Sequence, residues 1–168
     1  SLSRRNRWVV AVAEMRGNGS STARASRANS WSLWTIVEQD MPRNIDKLRS
    51  LYPESPLYLL AHSIGGLLNS LFVANAKFRN KTEILDKIDG IITIASGSIY
   101  WKTHTNRYLW WFGWLVLIIT TILGYWPGKL FRFGGKAEAR GVMRYWCMDV
   151  LYGKFPMEDT GGMNVAEV

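Results

Sequence analysis

Apolar and polar positions alternate along the chain in a way that separates short buried strands from amphipathic helices. Trp8 to Val12 (WVVAV) is a continuous apolar run rich in β-branched residues. It leads into RGNGSS, Arg16 to Ser21, where Gly17, Gly19 and two serines force a turn. Together they predict a buried strand and its exit loop. From Trp31 to Tyr52 apolar side chains recur at Val37, Met41, Ile45, Leu48 and Tyr52, spacings of three and four that line one helical face. Pro42 should kink or restart that helix. Ser55 to Ala61 (SPLYLLA) reads as a second apolar strand, LLNSLFVANA as a helix, and Asp89 to Ala95 (DGIITIA) as a third strand. Strands apolar on both faces alternating with helices predict an α/β fold with a parallel sheet flanked by helices.

Composition narrows the class. At 168 residues and 48% apolar, the chain is long enough for one domain with a sizeable core and too hydrophobic for disorder. Lys and Arg number 21 against 13 acids, a net charge of +8. The excess falls in short clusters, among them Arg4, Arg5 and Arg7, and no helix carries a continuous basic stripe with interleaved aromatics. A solvated basic surface is expected, and no nucleic-acid partner. Cys147 is the single cysteine, without metal-ligand spacing, so a free, buried thiol in a reducing compartment such as the cytoplasm is expected.

Candidate chemistry centres on LLAHSIGGLL, Leu59 to Leu68. Its polar corner falls at the carboxyl end of the second strand, where open α/β sheets place their sites. His62-Ser63-Ile64-Gly65-Gly66 fits a strand-turn-helix corner sharp enough to need small neighbours. Ser63 would stand above the sheet, and the Ile64 amide, opening a helix near Gly65, would point at a developing oxyanion. The pattern is G-x-S-x-G with Ala61 for the first glycine. The same residues also suit a serine that merely caps the helix.

RGNGSS, LYLLAHSIGG and DGIITIASGSIYW, each after a strand, together resemble the α/β-hydrolase superfamily. The likeness is to a bacterial group of α/β hydrolases similar to serine-aminopeptidase and lysophospholipase-like members. These also carry S-G-S-x-Y-W and G-Y-x-P-G, here Ser96 to Trp101 and Gly124 to Gly128. The resemblance runs from Trp8 to Tyr152 and departs at Glu14 and Met15, where members usually have Asp or Tyr. It implies a partial α/β-hydrolase fold with a helical cap: a core over 1–99, an aromatic-rich cap over 100–152 and a tail over 153–168. It implies further that Ser63 attacks an ester or amide with an apolar part to form an acyl-enzyme. The Ile64 amide is then one oxyanion donor, and neither cofactor nor metal is expected.

The superfamily places its acid and then its histidine after the nucleophile, each following a further strand. The chain has only His62 and His104. His62, adjacent to Ser63, should point away from it as a packing or hydrogen-bonding residue. His104 falls where the cap begins, and Asp149 and Asp159 follow no strand of the expected kind. The resemblance therefore implies an internal segment of a longer hydrolase, holding the family's fourth to sixth strands. The family's third strand lies between the fourth and fifth, so without it the sheet leaves a gap or pairs strands that are not normally neighbours. The competing reading is a non-catalytic chain, truncated or membrane-associated, that lacks the triad histidine and acid.

Tyr108 to Trp126 contains no charged residue and has aromatics at both ends. It reads as a helical cap over an acyl pocket, with a membrane span and membrane-surface contact as the other readings.

Overall fold

The computed structural model describes residues 8–105 and 107–156; Arg4, Arg5, Arg7 and Asp159 lie outside the described residues, as does most of the 153–168 tail. The first helical element opens on a capping box. The Ser32 hydroxyl accepts from the Thr35 amide (3.3 Å) while the Thr35 hydroxyl accepts from the Ser32 amide (3.2 Å). Helix α1 (Leu33–Thr35) runs into a π-helical turn (Ile36–Asp40) and then α2 (Met41–Leu51). Pro42 explains the wide turn: a proline in an α-helix lacks the amide and crowds the carbonyl four residues back. The chain instead bonds Met41 N–H to Ile36 C=O and restarts with Pro42 in the first turn of α2. Val37 and Ile45 are buried as the spacing predicts, whereas Tyr52 is exposed.

Strands β1 (Tyr58–His62) and β2 (Gly90–Ile94) pair in parallel, from Tyr58 opposite Gly90 to His62 opposite Ile94. Helix α3 (Ile64–Phe78) connects them, with a 3-10 turn over Thr82–Lys87. Leu68, Leu71 and Phe72 of α3 are buried in one apolar cluster with Trp31, Leu33, Trp34, Val37 and Ile45. Gly66 allows the close approach of α3 to the sheet. A Cβ there would lie 2.6 Å from Ser96 Cβ and 3.0 Å from Thr93 Cβ.

Trp8 to Val12 forms no strand, contrary to the expectation from its run of branched residues. Val12 is 84% exposed, and the segment touches the sheet through the Trp8 ring, edge-on to Tyr58 at 6.1 Å. A strand needs a neighbour for its amides and carbonyls, and neither β1 nor β2 pairs with this segment. The parallel sheet therefore has two strands rather than three. Leu60, Ile92 and Ile94 are exposed on it.

Beyond a 3-10 turn at Trp101–Thr103 come α4 (Tyr108–Leu123), β3 (Tyr125–Trp126), α5 (Gly128–Phe131), β4 (Glu138–Ala139) and α6 (Arg140–Tyr152). β3 and β4 pair antiparallel. Gly124 ends α4 at φ +81°, where a Cβ would meet Arg27 Cα at 2.8 Å. No helix among the described residues is long and apolar enough to cross a membrane. A second apolar cluster holds Val116, Trp126, Met143, Cys147, Val150 and Leu151, with Phe112, Phe133 and Trp146 packed against it and edge to face on one another. Helix α6 joins the clusters, because its Val142 and Tyr145 belong to the first. Trp34 reinforces the junction, its indole N–H donating to Pro156 C=O at 2.9 Å.

Candidate active site

β1 delivers the chain to Ser63 in an extended conformation, and α3 begins on the next residue, so the whole reversal falls on one residue. Ser63 has φ +53° and ψ −124°, a combination that L-residues rarely adopt. The backbone around it holds the turn. Ser63 N–H donates to Ile94 C=O on β2 (3.0 Å), and Ser63 C=O accepts from Gly66 N–H (3.0 Å) and Leu67 N–H (3.3 Å). The side chain is exposed and makes no capping bond. The alternative of a serine that caps its own helix is thereby corrected: with φ positive, the hydroxyl swings away from the first-turn amides.

Ile64 is the first residue of α3, so its amide has no acceptor inside the helix, and no described residue accepts from it. The partial positive charge of a 15-residue helix terminus is focused there. Gly65 passes close to the strand, where a Cβ would stand 3.2 Å from Ala61 Cβ. Alanine in place of the motif's first glycine is therefore compatible with the turn.

His62 shares the Tyr58 and Leu60 face of β1, two residues apart in an extended strand. The residue is exposed and its ring makes no hydrogen bond among the described residues, so the side chain neither packs nor bonds as expected. His104 is exposed at the end of the Trp101–Thr103 turn and makes no bond to Ser63. Asp149, on α6 and 2% exposed, spends both oxygens on the loop after β2. Oδ1 accepts from the Ser98 hydroxyl and Oδ2 from Ile99 N–H at 2.9 Å. Burial raises its pKa above the ordinary carboxylate value; the Ile99 and Ser98 bonds, and then the His104 charge, oppose that rise. Asp149 thus ties α6 to the exit of β2 rather than orienting a histidine.

The RGNGSS loop is held by two pairs of hydrogen bonds that its sequence does not advertise. Arg16 Nε and Nη2 each meet an Asp40 oxygen at 2.7 Å, joining the loop to the π-helical turn. Glu14 accepts from the Ser20 hydroxyl and from Ser20 N–H, which lowers its pKa. The arginine of R-G-x-G is a signal that an acid is needed nearby, but not that it lies at Asp40. Two concavities, of about 810 and 550 Å³, lie beside Tyr125 to Ala137 and beside Glu14 to Asp40, and neither is lined by Ser63. No group of His, Cys, Asp and Glu among the described residues could hold a metal ion.

Parallel strands crossed by a helix, with a serine in a strained turn between strand and helix, define a partial α/β-hydrolase fold. A family model described as serine aminopeptidase, S33, matches residues 1–138. The chain belongs to that family, within the α/β-hydrolase superfamily, and its general class is hydrolase. No curated protein and no solved structure matches it.

Proposed function

We propose that Ser63 is the nucleophile of an acyl-transfer hydrolase acting on an ester or amide with an apolar acyl part. One observation carries this reading: an exposed serine at φ +53°, its hydroxyl uncommitted, one residue before the unused amide of a helix N-terminus. Backbone strain of about 1–3 kcal/mol persists where the surroundings enforce it, and such positions cluster at functional sites.

In the proposed reaction Ser63 Oγ bonds to the carbonyl carbon as its proton passes to a base, and the carbonyl electron pair moves onto oxygen beside Ile64 N–H. Collapse of that intermediate expels the alcohol or amine, which takes the proton. Water then repeats the sequence and releases the acid. Neither His62 nor His104 bonds Ser63, so we assign the base and its orienting acid to residues of a longer protein outside these 168. The exposed Leu60, Ile92 and Ile94 support this assignment as apolar surface that further chain would cover. The segment from α4 to α6 is the proposed cap, attached through Asp149 to the loop after β2 and hence to the sheet end that carries Ser63.

The test is hydrolysis of p-nitrophenyl esters of graded acyl length by the longer protein. Longer acyl chains should raise kcat/KM, and Ser63→Ala should lower kcat by at least about a thousandfold. Unchanged kcat in Ser63→Ala would move the chemistry elsewhere.

A further inference from the structure

We propose that the outer face of α4, with the basic turn that follows it, docks on the surface of an anionic lipid bilayer. Trp111, Leu115, Ile118 and Ile122 recur at spacings of four, three and four, which places them on one face of the helix. They are between 45% and 67% exposed. The opposite face is committed to α6, where Gly113, Val116 and Thr120 are buried. A contiguous apolar stripe of this kind marks an interaction surface.

Three features select a bilayer surface as the occupant. First, α4 is 16 residues long, about 24 Å at 1.5 Å per residue, too short for a hydrocarbon core of about 30 Å. Gly124 also turns the chain sharply at its end, so the helix lies along a membrane rather than through it. Second, charge is one-sided. No acid stands between Asp89 and Glu138, a stretch that holds Lys102, Arg107, Lys129, Arg132 and Lys136; Glu138 itself is half-buried, with Oε1 accepting from Gly135 N–H, while the three cations of the turn are exposed. Two copies paired symmetrically through this face would set these cations against one another, whereas anionic headgroups would neutralise them. Third, the basic residues have a concave setting at the helix end. Tyr125, Lys129, Arg132 and Lys136 line the concavity of about 810 Å³ that opens just beyond Gly124, and Leu130 beside them is 75% exposed. Apolar side chains at acyl depth with cations at phosphate depth is the arrangement of an interfacial helix.

This surface does not depend on the catalytic reading, so Ser63→Ala should bind vesicles as the parent chain does. The test is co-sedimentation of the full chain with phosphatidylglycerol–phosphatidylcholine vesicles and with pure phosphatidylcholine vesicles. Binding should be at least tenfold tighter to the anionic vesicles and should weaken as salt rises. Trp111→Ser with Ile118→Ser should weaken it at least tenfold, and so should Lys129→Glu with Arg132→Glu and Lys136→Glu, while Val12→Ser, exposed elsewhere, leaves it unchanged. All are exposed positions, and the parent chain alone supplies the lipid-charge and salt comparisons. The proposal is overturned by equal binding to both vesicles, by no binding to either, or by full binding in both stripe and charge variants. It is also overturned if the stripe variant turns a dimer into a monomer while the parent ignores vesicles.

Discussion

Replacing Ser63 by glycine should stabilise the fold while removing the proposed nucleophile. The backbone at Ser63, φ +53° and ψ −124°, is the mirror image of an ordinary extended conformation, reached freely by glycine and at a cost of ~1–3 kcal/mol by a residue with a Cβ. Glycine also loosens the unfolded chain, which takes back ~0.5–1 kcal/mol. At the middle of these ranges the difference leaves ~1.2 kcal/mol in favour of Ser63→Gly, or about 2–5 °C in Tm for a domain of this size. Ser63→Ala is the matched control. It keeps the Cβ and its strain and deletes a hydroxyl that bonds nothing in the fold, so its stability should stay within ~0.5 kcal/mol of the parent. Urea and thermal unfolding of the three chains decide the matter. A glycine variant no more stable than the alanine variant would refute the argument that this turn is strained.

At Gly66, alanine would place a Cβ against Ser96 and Thr93, and urea unfolding should show a loss of ~1–3 kcal/mol even though alanine is the better helix former. Asp149→Ala takes the acceptor from Ile99 N–H, which is half-buried, and from the Ser98 hydroxyl, which is exposed and can turn to water, so it should cost ~1–3 kcal/mol for the one amide left unpaired. Asp149→Asn keeps one acceptor and should cost less. The folded pKa of Asp149 is raised, so the folded state binds more protons than the unfolded one just above the ordinary carboxylate value. Stability should therefore fall as pH rises from that value to the folded pKa, a slope that Asp149→Asn removes. Burial pushes the Cys147 thiol up to about 12, so a disulfide reagent at mildly alkaline pH should label it at least ~100-fold more slowly in the folded chain than in denaturant.

Local pattern sufficed where one element explains itself. The helical spacing of Val37 and Ile45 and the restart at Pro42 rest on contacts close in sequence, and the apolar runs Ser55 to Ala61 and Asp89 to Ala95 end within one residue of the strands Tyr58–His62 and Gly90–Ile94. Ser63 was legible as a turn residue because small neighbours on both sides leave few alternatives. What pattern could not supply is pairing. Trp8 to Val12 has the composition of a buried strand, but burial is decided by a partner strand, which composition does not report. The bonds that hold the site's surroundings span long sequence distances: Arg16 to Asp40, and Asp149 to Ser98 and Ile99. In sequence Asp149 bears only on the search for a triad acid, and it follows no strand of the expected kind. In the fold it is a tether. The apolar run of Tyr108 to Trp126 does not encode which of its faces α6 covers; that is fixed by the close approach at Gly113, where a Cβ would stand 2.8 Å from Val150 Cγ1.

The central claim, that Ser63 is an acyl-accepting nucleophile whose base lies outside these residues, is tested most directly by a fluorophosphonate probe followed by mapping of the adduct. The account predicts one adduct, on Ser63, in the longer protein, lost in Ser63→Ala, and almost none in the 168-residue chain alone. An adduct on any other residue of the longer protein, or rapid labelling of the short chain that disappears in His104→Ala, would contradict it.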